Sequence, residues 1–280
     1  MKDGQTFKKM FSTLISTQIY AKICFEATQK KKKIIEKLSE YLADDDPSKI
    51  FILNGFAGTG KTTLISAFVS ALKDLNIKTI LLAPTGRAAK VLARYSHERA
   101  LTVHKRIYLE RTNAAYESKF SLAPNREQDA LFIVDEASML SNDTTGGALF
   151  GSGALLDDLV TYVRSGKRCR LMLVGDNAQL PPVGAENSPA LDPVFMSRYG
   201  EVVYGSMDEV VRQEAESGIL FNATLVRCML ERGIYAVPRF RTDFPDIRNL
   251  DGGEFLETLQ ECYDRYGRDG VIVITRSNKR

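Results

Sequence analysis

The chain has 280 residues, of which 44% are apolar and 26% charged, with 20 Gly, 9 Pro, 4 Cys and 2 His. That length suits one large α/β unit with a small appendage, and the composition excludes disordered, collagen-like and disulfide-built chains. The formal charge of +3 is too small by itself to announce a polyanionic partner.

No apolar run reaches the ~18 residues of a membrane span, and the opening MKDGQTFKKMFSTLIST has no long apolar stretch before a cleavage site, so a cytoplasmic protein without a membrane partner is expected. Cys24, Cys169, Cys228 and Cys262 form no C-x-x-C pair, which speaks against a zinc site or a disulfide framework and for reduced, partly buried thiols. With only His97 and His104 present, any metal is expected to be held by oxygen.

Residues 1–25 read as a helical or irregular extension. From 30 to 42, KKKKIIEKLSEYL spaces Ile34, Ile35, Leu38 and Leu42 as one face of a helix, and DDDPS stops it. KIFILNG then reads as a strand, followed by a glycine-rich turn and the helix TTLISAFVSALKDL. Further apolar runs at 78–83, 130–136, 170–176 and 271–275 are short and separated widely enough for crossover helices. Strands without alternation imply a sheet covered on both faces, hence a parallel α/β fold. The Gly, Ser and Thr of 141–158 suggest a flexible connection or lid. Between Arg87 and Arg111 seven basic residues (Arg87, Lys90, Arg94, Arg99, Lys105, Arg106, Arg111) face two acidic ones, while 201–280 hold 11 basic against 14 acidic, so the first stretch is the candidate for phosphate-backbone contact.

GFAGTGKT, Gly55 to Thr62, fits the pattern G-x-x-x-x-G-K-[ST] between a predicted strand and a predicted helix. Such glycines let backbone N–H groups wrap phosphate oxygens; Lys61 would reach the β/γ-phosphates and Thr62 would offer a hydroxyl to Mg²⁺. FIVDEAS adds Asp135 for the metal shell and Glu136 to take a proton from an attacking water, both expected on a strand tip neighbouring the glycine loop. In LVGDNAQLPPVG, Gln179 could bond a γ-phosphate or simply sit on a Pro-stiffened surface turn.

The ordered series GFAGTGKTT, APTGRAAK, TVHK, VDEAS, GDNAQLPPVG and VRQEAESGIL resembles the first motor domain of superfamily 1 helicases of the RecD-like and Dda-like group, from about Gln29 to Gln213. The resemblance implies a P-loop, RecA-like domain over 26–270, with ATP and Mg²⁺ as cofactors. Its nucleotide site would comprise Gln29 (on the adenine), Gly55, Ala57, Gly58, Thr59, Gly60, Lys61, Thr62 and Thr63. Lys61, Asp135, Glu136, Gln179 and Arg212 would be catalytic, Arg212 as the arginine nearing the γ-phosphate, with Thr62 and Asp135 on the metal. Thr85, Arg87, Thr102, His104 and Lys105 would lie along single-stranded DNA, where Tyr95 or Tyr108 could stack on a base. A basic solvated helix and a satisfied core histidine are the plainer alternatives there.

The resemblance further implies a monomeric ATP-driven DNA helicase of 5′ to 3′ polarity used in recombination or repair. VIVITRSNKR resembles the first strand of a second motor domain, so residues 271–280 are expected to open a domain whose remainder is missing, and ATP turnover by this chain is expected to be poor. A small-molecule kinase and a nucleotide-dependent binding module remain as alternatives.

Overall fold

The computed structural model describes residues 2–23, 27–56, 58–112, 118–142, 150–209 and 217–275. Two compact units divide at Arg212 and Gln213. In chain order the first holds α1 (Lys2–Lys22), α2 (Gln29–Ala43), β1 (Ile50–Gly55), α3 (Lys61–Asp74), β2 (Thr79–Ala83), α4 (Gly86–Ser96), β3 (Ala100–Thr102) and α5 (Val103–Ile107). It continues with β4 (Tyr108–Thr112), β5 (Ser118–Leu122), β6 (Leu131–Val134), α6 (Leu155–Ser165), β7 (Arg170–Gly175), α7 (Pro193–Met196) and β8 (Val202–Met207).

Six of these strands form one parallel sheet in the order β3-β2-β6-β7-β1-β8. Each strand alternates its side chains between two cores, as a period of two requires. Phe51, Leu53, Leu131, Ile133, Met172 and Val174 face one core, under the apolar stripes of α2 and α3. Ile50, Ile52, Phe132, Val134, Leu171 and Leu173 face the other, under Leu156, Leu159 and Val163 of α6. Burial on both sides explains why the runs read as continuous apolar segments. Tyr41 closes the first core from α2, its hydroxyl donating to Leu171 O at 2.8 Å.

The P-loop, RecA-like architecture is thus present, with several corrections. The strand bearing Asp135 and Glu136 is not next to β1; β7 lies between them, because crossover helices let a later strand insert. Of the extension at 1–25, Lys2–Lys22 take the helical alternative as α1, and beyond an extension its Ile15 and Ile19 are fully buried in the first core against α2 and α3. The stretch 141–158 is a connection only in part: α6 begins inside it at Leu155, and buried Asp158 accepts from the Tyr108 hydroxyl at 2.6 Å and from Ser152 N at 2.9 Å. Residues 143–149 lie outside the described residues. The strands β3 and β8 and the antiparallel pair β4–β5 escape the sequence pattern: β3 has three residues, all half-buried, β8 is mostly half-buried and β4–β5 lie outside the main sheet.

The second unit holds α8 (Gly218–Glu231) and α9 (Phe255–Tyr266). Asp246 accepts from Gly218 N at 2.8 Å and Ile219 N at 3.2 Å, satisfying first-turn donors of α8. Asn222 brackets the Arg241 backbone with bonds of 2.7 and 2.9 Å, and the Arg241 guanidinium lies over the rings of Phe221 and Phe244. The strand expected at 271–275 is not formed: among the described residues no ladder includes this run, and Ile274 is 87% exposed. Residues 276–280 are not described. Among the described residues no helix is long and apolar enough to cross a membrane.

Burial of α1 predicts a contrast in stability. Ile19→Ala should cost about 2–5 kcal/mol, whereas Phe7→Ala, on the exposed side of the same helix, should stay within about 0.5 kcal/mol. Urea unfolding of the two variants checks this; equal effects would mean that α1 is no part of the core.

Candidate functional site

Because all six strands of the sheet run the same way, their carboxyl ends meet at one edge, where open α/β sheets collect their sites. The loop leaving β1 turns through Gly58 and Gly60 at φ of 76° and 87°, a left-handed backbone that glycine adopts without strain. Gly55 is needed for a different reason, since a Cβ there would come within 2.9 Å of Lys61 and Met207. Buried Thr59 donates its hydroxyl to Phe56 O at 2.8 Å, closing the loop on itself. Lys61, first residue of α3, donates from Nζ to Gly55 O and to Phe56 O, the latter at 3.0 Å, so its ammonium sits on the loop. No side chain caps α3 at Gly60; the helix N-terminus, with Thr62 and Thr63 exposed on its first turn, therefore presents amide donors and positive potential. Ala57 is outside the described residues.

Sequence reasoning missed Lys31. It lies in the basic opening of α2, outside the apolar face of Ile34, Ile35, Leu38 and Leu42, yet it is 4% exposed and its Nζ stands 3.4 Å from where a Cβ on Gly60 would be. Burial lowers its pKa, opposed by the charge of Glu209. Gln29 is exposed at the start of the same helix, behind the cap Thr28.

Asp135 and Glu136 follow directly after β6. Asp135 N donates to Leu82 O at 2.9 Å, its Oδ1 accepts from Glu136 N at 3.0 Å and its Oδ2 accepts from the Tyr95 hydroxyl. Burial and then the Asp135 charge push the Tyr95 phenol far above its ordinary pKa, so it remains a donor. Glu136 holds a left-handed φ of 54°, uncommon for a residue with a side chain. Its carboxyl is raised above the usual range by burial and by the charges of Asp135 and Asp176, with Lys61 pulling the other way. Lys61, Asp135, Glu136 and Asp176 thus share one electrostatic neighbourhood at three strand ends. Burial and the neighbouring acids favour the protonated form of Glu136, and the same raised pKa makes its carboxylate a stronger base.

Beyond β7, buried Asp176 accepts from Ala178 N at 2.9 Å, and Asn54 Oδ1, at the end of β1, accepts from Asn177 N at 3.0 Å. Neither Asn54 nor Asp176 stood out in the sequence, although each is the polar residue that ends or follows a buried strand. Gln179 is exposed on the loop they anchor, with Leu180 and Val183 83% and 100% exposed beside it. Arg212 lies outside the described residues.

The basic stretch divides. Thr85 and Thr102 both cap helices, accepting from Ala88 N and Lys105 N at 3.2 Å each. Pairing of Ala83 with Thr102 brings the two caps to neighbouring strand ends. Arg87, Lys90 and Arg94, at spacings of three and four, are exposed on α4, and Lys105 is exposed on α5. His104 is half-buried against the Tyr108 and Phe150 rings at 5.8 and 5.2 Å, and burial lowers its pKa, which keeps it neutral. Three expectations are corrected. Tyr95 is turned onto Asp135 and not toward a base; Tyr108 is buried with its hydroxyl on Asp158; Arg106 pairs with Glu127 at 2.5 Å and lies 6.0 Å from the centre of the Phe132 ring, so it leaves the phosphate-facing set. Each has an apolar stem or ring that burial favours and a polar tip that then needs a partner.

The Asn54–Asn177 bond generates a prediction. Asn54→Ala removes the acceptor of the Asn177 N–H, a loss of about 0.5–1.5 kcal/mol, and should raise amide hydrogen exchange at 177–180 well above that of β1 itself. Unchanged protection there would show that the bond does not hold the loop.

Comparison with known proteins follows this geometry. The ATP-dependent RecD2 DNA helicase of Deinococcus radiodurans is 32% identical over 190 residues, 68% of this chain and 23% of that protein. The ATP-dependent DNA helicase dda of Enterobacteria phage T4 is 32% identical over 149 residues, 51% of this chain and 30% of that protein. The uncharacterized protein MJ1519 of Methanocaldococcus jannaschii is 34% identical over 170 residues, 56% of this chain and 13% of that protein. The chain therefore spans less than a third of the length of each of these relatives. The AAA domain description matches residues 37–225. The chain belongs to the AAA domain family, and the order of its motifs is that of the first motor domain in the RecD-like and Dda-like superfamily 1 group.

Proposed function

We propose that this chain is the first motor domain of an ATP-driven DNA helicase. The observation that carries the reading is the meeting of Lys61, Asp135, Glu136 and Asp176 beside a glycine loop and an uncapped helix N-terminus, at one edge of a parallel sheet.

In this reading the loop amides and Lys61 bind the phosphates of ATP, Gln29 meets the adenine, and Gly55 to Thr63 form the cradle. The donor set near the loop, the Thr62 hydroxyl and the Asp135 carboxylate, suits Mg²⁺, a hard cation usually bound by one or two carboxylates together with substrate phosphates. When bound, Mg²⁺ supplies charge neutralisation at the β- and γ-phosphate oxygens. Glu136 accepts the proton of the attacking water at its carboxylate, a role its raised pKa favours. Gln179 and Arg212 sense the γ-phosphate.

Single-stranded DNA would run past the carboxyl ends of β2 and β3, over Thr85, Arg87, Thr102, His104 and Lys105, with the exposed cations of α4 on its phosphates. By resemblance the motor moves 5′ to 3′ and serves recombination or repair.

Two measurements test the reading. ATP turnover with and without a single-stranded oligonucleotide should be DNA-stimulated and abolished by Lys61→Ala; turnover stimulated by a small metabolite and indifferent to DNA would overturn it. Oligonucleotide affinity should fall with salt, and Arg87→Ala should lower the slope of log K against log salt by about 0.7, one phosphate contact's worth. An unchanged slope would take Arg87 off the strand.

A further inference from the structure

We infer that Tyr95 is a positioning residue that couples the strand-binding helix to the metal-binding carboxylate. This rests on the motor reading above and goes beyond it, since it assigns the route by which one site acts on the other.

Three elements meet at this residue. Tyr95 stands in the last turn of α4, and its hydroxyl donates to Asp135 Oδ2. Its backbone carbonyl accepts from Ser66 Oγ of α3 at 2.7 Å, on the helix that Lys61 opens. Its ring packs against the core shared by α2, α3 and the sheet. One residue thus touches the acid strand, the phosphate-loop helix and the helix that carries Arg87, Lys90 and Arg94.

The two anchors of Asp135 differ in stiffness. Its backbone is held by the sheet, through Leu82 O, and its Oδ1 by the adjacent Glu136 N–H. Oδ2 is held by a side chain from another element, the Tyr95 hydroxyl on α4. A helix moves as a rigid rod, and Arg87 lies eight residues from Tyr95, about 12 Å along the axis at ~1.5 Å per residue. A tilt of α4 on a phosphate backbone at its first turns therefore shifts the phenol at its last turn, and with it the orientation of the carboxylate. The reverse also holds: a carboxylate drawn toward a cation pulls on the helix. Such coupling is reciprocal by thermodynamic necessity, so it can be read from either ligand.

The experiment measures equilibrium coupling in this chain with a fluorescent non-hydrolysable ATP analogue, Mg²⁺ and an oligo-dT strand. Nucleotide affinity is compared with and without saturating oligonucleotide, and oligonucleotide affinity with and without nucleotide. In the unaltered chain the two ratios should agree and lie in the range of about 5- to 150-fold typical of coupled sites. Tyr95→Phe keeps the ring and removes one oxygen; it should bring the ratio close to one while each ligand alone still binds. It should also shrink the difference in nucleotide affinity between Mg²⁺ and EDTA. Ser66→Ala, which loosens the same residue from its other side, should reduce the ratio partway. Tyr199→Phe removes a comparable phenol–carboxylate bond, to Asp157 on α6, and should leave the ratio unaltered. A ratio unchanged in Tyr95→Phe, or equal to one in the unaltered chain with both ligands bound, overturns the inference alone. Failure of the unaltered chain to bind nucleotide or DNA overturns the motor reading itself and the inference with it.

Discussion

Asp135 is held at three points, by Leu82 O through its own amide, by the Glu136 N–H and by the Tyr95 hydroxyl. The rest of the site is arranged around that fixed carboxylate. Glu136 takes a left-handed backbone immediately after it, which starts a short 3-10 turn instead of prolonging the strand. Gly175 at the end of β7 leaves room for this turn, since a Cβ there would stand 3.2 Å from Ser138 N. Charge balance then follows from proximity. Burial and two neighbouring acids favour a proton on Glu136, and the Lys61 ammonium opposes them.

The sheet makes such an arrangement possible by being dull. Its strands are apolar on both faces, locked between two cores, and contribute almost nothing but direction. Chemistry is confined to the residues where the strands stop: Asn54 at the end of β1, Asp135 and Glu136 after β6, and Asp176 after β7. A rigid scaffold with functional groups at its rim lets loops differ without loss of the fold. The same economy appears in α1, whose buried isoleucines add to the first core while its opposite face stays in solvent.

Much of this was legible in the chain itself. The apolar runs of β1, β2, β6 and β7 and the helical periodicity of α2 can be read directly, as can α3 after its glycine loop, and GFAGTGKT and VDEAS carry their chemistry in residue type and spacing. The short strand β3, the half-buried β8 and the hairpin β4–β5 were not legible, because short or partly exposed strands carry too few buried apolar residues to give a pattern. VIVIT errs in the other direction: it has every local preference of a strand, but preference alone does not supply a partner ladder. Lys31 is hidden for a similar reason, as one of four consecutive lysines of which the helix turns one inward beside Gly60.

Sequence alone therefore determined the fold class, the phosphate-type loop and the paired acids, since each rests on local spacing that every fold of this kind must satisfy. Tertiary structure decided which residues serve those groups. It put β7 between the loop strand and the acid strand, turned Tyr95 from a candidate base platform into a carboxylate clamp, buried Tyr108 on Asp158 and withdrew Arg106 into an ion pair with Glu127. Those outcomes depend on contacts between residues 21 to 50 positions apart, and a side chain's own type says only that a polar tip needs a partner, not where the chain will bring one.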